Sequence, residues 1–248
     1  MLEFDAAVTL QTAQSRFAEL WRLDNAEIPP ALETLPLDIT VAAAALLIPY
    51  ALYASKVKES KRRAWFLTLV TASVCGPLSL KYVFATVAPA FDGAAQFTDD
   101  RLARFLCTFF GCFLVLDTVV GTLHYPKSFH LLEGWIHHAV YAAFFGKLVQ
   151  WGYTVGGATT LCLEIPTAIL ARGHCFPHLR VDLPFGLAFF AIRVVFHSYM
   201  LVKWVAIPDP PLVLWPCTAG ALALHVWWFQ KWCASYARSL KQKKPLAA

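Results

Sequence analysis

Seven apolar stretches dominate the chain, and they set the solvent in which it can fold. They run at about 38–55, 64–87, 102–123, 133–152, 155–171, 184–206 and 211–232. Each approaches the ~20 residues that cross the hydrocarbon core of a bilayer. A helix satisfies its own backbone hydrogen bonds in lipid, so all seven are expected to be helical. Of the 248 residues, 58% are hydrophobic and only 15% charged, against about 25% charged in an ordinary soluble domain. A chain of this size cannot bury so much apolar surface in water. A soluble enzyme, a disordered protein and a small disulfide scaffold are thereby excluded. The seven cysteines are scattered, without a CxxC, and read as small apolar residues. The first and fifth stretches are short, which suggests little tilt or partial re-entry. Pro77, Pro166 and Pro216 fall inside stretches and should free the carbonyls of Ser73, Cys162 and Leu212.

Charge in the connections orients the spans. The first 38 residues carry seven acidic and two basic side chains, and lack the basic start and apolar core of a signal peptide. Residues 10–28 read as a short surface helix ended by Pro29 and Pro30. The connection at 55–63 holds Lys56, Lys58, Lys61, Arg62 and Arg63 against Glu59. The next carries Asp92, Asp99 and Asp100 with Arg101. Lys127, then Arg172 and Arg180, and finally Lys231, Arg238, Lys241, Lys243 and Lys244 continue the alternation. Seven spans fit it, with the N-terminus lumenal and the C-terminus cytosolic. The domain reading is an acidic lumenal tail (1–37), a first transmembrane helix (38–55), a helical domain (64–232) and a basic cytosolic tail (233–248).

Polar groups inside the spans are the informative residues, because a charge in lipid is costly and usually functional. Counted from the cytosolic ends, Asp117 lies about seven residues deep, His137 and His138 about five, Glu164 about seven, Arg193 about nine and His225 about seven. At ~1.5 Å per residue all fall in one slab, ~8–14 Å below the surface. Five helices supplying ionisable groups at one depth imply a polar cavity open to the cytosol. Lys81 and Lys147 lie nearer the lumenal ends and should snorkel. A structural reading stands beside each functional one: His197 and His225 as helix-to-helix hydrogen bonds, Asp117 with Arg193 as an ion pair, Glu164 as a cap for backbone freed by Pro166. The tandem His137-His138 differs, because neighbouring helical positions point about 100° apart. One ring then faces the cavity and the other a neighbouring helix, and a histidine beside a carboxylate can act as a general base.

Other chemistries fit less well. His124, His130 and His137 are six and seven apart, which is not the spacing of di-iron histidine boxes. Asp117, His137 and Glu164 could converge on zinc, but their spacing is not that of a zinc motif. A seven-helix receptor matches the span count, yet D-R-Y and N-P-x-x-Y signatures are absent, and Lys231 sits too near the cytosolic edge to hold retinal.

The run Asp117…His124-Tyr125…Trp135-Ile136-His137-His138, followed by Leu163-Glu164-Ile165-Pro166-Thr167 and by Phe189-Phe190-x-x-Arg193, resembles the TLC-domain membrane proteins, over about residues 64–232. That family includes ceramide synthases, translocon-associated membrane proteins and small TLC-domain proteins. The resemblance implies an all-α membrane protein in which six of seven helices form a barrel around a cytosol-open cavity, with the first packed outside. In ceramide synthases the histidine pair is catalytic and the cavity accepts an acyl-CoA and a long-chain base. Their His-Asp-x-x-Asp motif is missing here, where Leu161-Cys162-Leu163-Glu164-Ile165 stands. Glu164-Ile165-Pro166-Thr167 is closer to the Glu-Leu/Ile-Ser-Thr-Pro of the small TLC-domain proteins.

The expectation is a lipid-handling protein of the endoplasmic reticulum or another internal membrane, acting on sphingolipid or phospholipid composition. Its partners would be membrane lipids, with no nucleic acid, no bound cofactor and no metal. If it is an enzyme it is an N-acyltransferase with acyl-CoA as co-substrate: His137 or His138 takes the amine proton, Asp117 orients the imidazole, and Glu164, Arg193 and His225 bind substrate. The rival expectation is a non-catalytic lipid or cargo binder. The C-terminal Lys-Gln-Lys-Lys-Pro-Leu-Ala-Ala does not meet a dilysine retrieval signal.

Overall fold

A computed structural model describes residues 33–88, 90–206 and 214–243. Helices form on all seven apolar stretches, and no strand occurs among the described residues. They are α1 (Leu35–Lys56), α2 (Phe66–Thr86, reached through the single turn Ser60–Arg63), α3 (Arg101–His124), α4 (131–151), α5 (Thr154–Cys175), α6 (Asp182–Val205) and α7 (Leu214–Lys243). Five of these rods, α1, α2, α3, α5 and α6, are long and apolar enough to cross a membrane. The other two are diluted by polar residues: Glu133, His137, His138 and Lys147 on α4, and His225, Gln230 and Lys231 on α7.

Several boundaries differ from those the sequence suggested. The first and fifth helices are not short, since each has 22 residues, or about 33 Å at ~1.5 Å per residue. The fifth gains its length by running past its apolar core through Arg172 and His174, side chains suited to a helix C-terminus. Helix α7 continues to Lys243 with no break at 233. Pro216 lies near the described start of α7, and Leu212, whose carbonyl it was expected to free, lies outside the described residues. Pro49, which the sequence reading passed over, lies inside α1. The surface helix at 10–28 lies outside the described residues.

Local chemistry explains the helix ends. Asp100 is in extended conformation and its carboxylate accepts the N–H groups of Leu102 and Ala103, capping α3. Gly152 ends α4 in the left-handed region at φ 69°, open to glycine without a Cβ penalty.

The helices alternate in direction, and a polar cluster ties each end. At the acidic end Arg101 grips Asp38 with two bonds, 2.8 and 2.6 Å. There Arg104 also pairs with Asp99, Tyr82 with Asp100, and Thr154 donates to Asp99 at 2.6 Å. At the basic end Arg62 donates to the Cys175 carbonyl at 2.7 Å and Trp65 stacks on His174 at 4.3 Å. Helix α1 packs on α2 and α3, α2 on α3 and α5, α3 on α4 and α5, and α6 on α5 and α7. Gly76 lets α2 approach α5, where an added Cβ would meet Ile165 backbone at 3.1 Å. Apolar side chains left exposed along α1, such as Ile48 (62%) and Leu52 (63%), suit a lipid-facing surface.

Candidate functional site

Between the helices at the basic end lies a cavity of ≈ 610 Å³. Every helix from α2 to α7 contributes to its wall and α1 contributes none. Five of the six residues singled out in the sequence meet there: Asp117, His137, His138, Glu164 and Arg193. The sixth, His225, lines a smaller chamber of ≈ 70 Å³ that shares His137, Glu164 and Arg193 with the larger one. Aromatic residues including Phe113, Phe129, Phe189 and Trp228 supply the apolar wall. Lys61, Lys127, His130 and His174 stand toward the basic end.

Departures from regular α-helix bring the polar groups inward. Residues Leu131–Ile136 wind as a π-helical turn that delivers His137 and His138 at the head of the regular part of α4. A second π-helical stretch, Phe189–Phe196, carries Arg193. Such wider turns recur at functional sites. On α5 the chain tightens at Leu161–Glu164 before Pro166. The Ile165 N–H closes on the Cys162 carbonyl, the one that Pro166 cannot reach. The next carbonyl, of Leu163, accepts from Arg193 Nε at 2.7 Å.

One wall carries a relay on α3 and α4. The Tyr125 hydroxyl donates to Asp117 Oδ1 at 2.5 Å, and both residues are buried. Asp117 Oδ2 lies 3.8 Å from His138 Nδ1. Thr118 Oγ1 is 3.3 Å from the same nitrogen while donating to the Leu114 carbonyl at 2.7 Å. A hydroxyl whose proton is committed must accept, so His138 Nδ1 carries the proton and Nε2 keeps the lone pair. That tautomer leaves Nε2 as a base. His137 instead packs its ring on Tyr141 at 4.5 Å and against Trp228 of α7 at 6.3 Å.

The facing wall is an ion pair. Arg193 Nη2 bonds Glu164 Oε1 at 2.9 Å and Thr167 Oγ1 at 2.7 Å. The expected Asp117–Arg193 pair is therefore not formed. The reason is packing: the Arg193 stretch of α6 rests on α5, while Asp117 faces Tyr125 and His138. Glu164 neutralises the arginine. His225 Nδ1 lies 3.0 Å from His197 Nδ1, joining α6 to α7.

Sequence reasoning did not single out Tyr125, Thr118 or Thr167 as site residues. Thr167 had a signal, since it follows Glu164 by three positions and shares its helix face. Tyr125 lies beyond the end of α3, where helical spacing says nothing about direction. Among the described residues no three His, Cys, Asp or Glu side chains gather into a group that could hold a metal ion. Asp117, His137 and Glu164 do not converge as the zinc reading required. No protein-family model, no curated protein and no solved structure matches the chain.

Proposed function

We propose that this chain is a seven-span TLC-type membrane protein whose six helices α2–α7 form a barrel around a lipid-handling cavity, with α1 packed outside. The observation that carries this reading is the wall of the ≈ 610 Å³ cavity, drawn from all of α2–α7 and from none of α1. The histidine pair, the upstream Asp117 and the downstream Glu164, which carry the resemblance to that family, all line this one cavity. Helices α4 and α7 count as spans in this reading because their histidines, His137, His138 and His225, line the cavity or its annex.

The chemistry supported by the Asp117–His138 arrangement is N-acyl transfer. An amine attacks the thioester carbonyl of an acyl-CoA; a C–N bond forms and the C–S bond breaks. His138 Nε2 takes the amine proton, which then goes to the leaving thiolate. Asp117, fixed by Tyr125, stabilises the imidazolium. The apolar aromatic wall takes the chain, and Lys61 and Lys127 attract phosphate. The membrane would be the endoplasmic reticulum or another internal one. The test is direct: purified protein in lipid nanodiscs, given acyl-CoA and a sphingoid base, forms the amide, and His138→Ala does not. If wild-type protein forms none, the acyltransferase reading fails.

One observation favours a second reading, a non-catalytic lipid binder. Arg193 spends Nε and Nη2 on Leu163, Glu164 and Thr167, so those donors do not await an oxyanion. The Glu164–Arg193 pair would then hold a zwitterionic headgroup. Mass spectrometry of lipid retained by purified protein, compared between wild type and Glu164→Gln, tests it.

A further inference from the structure

The ≈ 70 Å³ chamber beside the main cavity holds chemistry that acyl transfer does not use. His197 and His225, both buried, point their Nδ1 atoms at one another across 3.0 Å. Such a bond needs one ring to donate and the other to accept, so at most one of them is an imidazolium. In the neutral pair, one ring then has a bare Nε2 and the other an Nε2–H. Trp204, 4% exposed, also lines the chamber, and its indole N–H is buried without a hydrogen-bond partner. A buried donor in a folded protein nearly always has a partner, protein or water. The chamber exceeds several-fold the ~10–15 Å³ that admits one water, and its lining is polar enough to hold one. His137 lines both this chamber and the main cavity.

We infer that the chamber is a hydrated annex in which the His197–His225 pair relays protons, through water, to and from His137. The relay conserves atoms and charge. A proton from water adds to the bare Nε2 of the first ring. The Nδ1 proton crosses to the second ring, and that ring releases its Nε2 proton to water. Both tautomers are exchanged, and no net charge stays in the low-dielectric interior, where an uncompensated charge is costly. The pair thus joins α6 to α7 as a proton wire and not only as a structural bond. Its use in recharging the cavity histidines rests on the reading proposed above, whereas its existence does not.

Nitrogen-15 histidine and tryptophan NMR of the full chain in nanodiscs tests the relay without any assay of turnover. Expected are water cross-peaks at the Trp204 indole N–H and at His137, and exchange of the His197 and His225 ring protons with water. His197→Asn keeps a hydrogen-bonding group but cannot pass a proton through a ring. It should keep the melting temperature and abolish the exchange at His225. Should this variant fail to fold, Trp204→Phe provides the second arm, removing the indole donor and weakening the water signal at the pair. Static, non-exchanging tautomers at His197 and His225 in wild type would overturn the relay, as would water at Trp204 with none reaching His137. Failure of amide formation with these signals intact would count against the acyltransferase reading alone.

Discussion

Arg193 of α6 reaches Glu164 of α5 at 2.9 Å, across 29 residues of sequence, and leaves Asp117 to Tyr125 and His138. Two acids on helices long and apolar enough to cross a membrane thus have separate duties. Glu164 offsets a charge, while Asp117 positions an imidazole.

The ion pair should couple strongly. Removing one partner of a buried pair typically costs about 3–5 kcal/mol because the other charge is stranded. Arg193→Leu or Glu164→Leu alone should lower the melting temperature of detergent-extracted protein sharply, and the double variant should recover part of the loss. Arg193→Leu with Asp117→Ala should be additive. The opposite pattern of coupling would show that the arginine changes partner in the membrane.

Tyr125→Phe removes the hydrogen bond to Asp117 and nothing else. Bonds to charged groups contribute about 1.5–3 kcal/mol, so a clear drop in melting temperature is expected. Asp117→Asn should retain more stability than Asp117→Ala, since the amide can still meet Tyr125 and His138. Equal melting of all three variants and wild type would remove Tyr125 from the site.

His138→Ala and His137→Ala should leave the protein folded and inserted while abolishing its effect on lipid composition. A purely structural role predicts that melting temperature falls together with function. Normal melting with unchanged lipids would strike that histidine from the active site.

The α3 cap predicts acid sensitivity at the acidic end. The Tyr82 hydroxyl, followed by the Ala103 and Leu102 N–H groups and Lys81, holds the Asp100 carboxyl below its usual range despite partial burial. A carboxyl lowered by folding stabilises fully above its unfolded value of about 3.9 and loses that contribution as pH falls toward the folded value. Wild type should lose melting temperature below about pH 4, and Asp100→Asn should be less stable at neutral pH but lose less on acidification. Parallel pH curves for the two proteins would argue against the cap.

Topology follows from the charges. Single cysteines at Ser60 and in the C-terminal tail should react from the cytosolic side of sealed vesicles, and one at Ala95 only after permeabilisation. Because Cys75 and six further native cysteines are present, the comparison requires a cysteine-free background. Labelling of Ala95 from the cytosolic side would overturn the seven-span arrangement.

The sequence by itself determined that this chain is helical and apolar enough for a membrane, and roughly where each helix lies. Those properties are written in composition and run length, which bilayer thickness converts directly into structure. It also marked Asp117, His137, His138, Glu164 and Arg193, because ionisable groups stand out against lipid-compatible neighbours. Only the tertiary structure decided which of them meet. Partner choice depends on helix rotation, on the π-helical turns before His137 and around Arg193, and on the tightened turn before Pro166, none of which apolar periodicity encodes. The same holds for Tyr125, which reaches Asp117 from beyond the end of α3, and for His225, which lies against His197 in a separate chamber although residue counting put it level with the others. Position along a helix is a one-dimensional property that counting residues gives; facing is set by packing against helices distant in the chain.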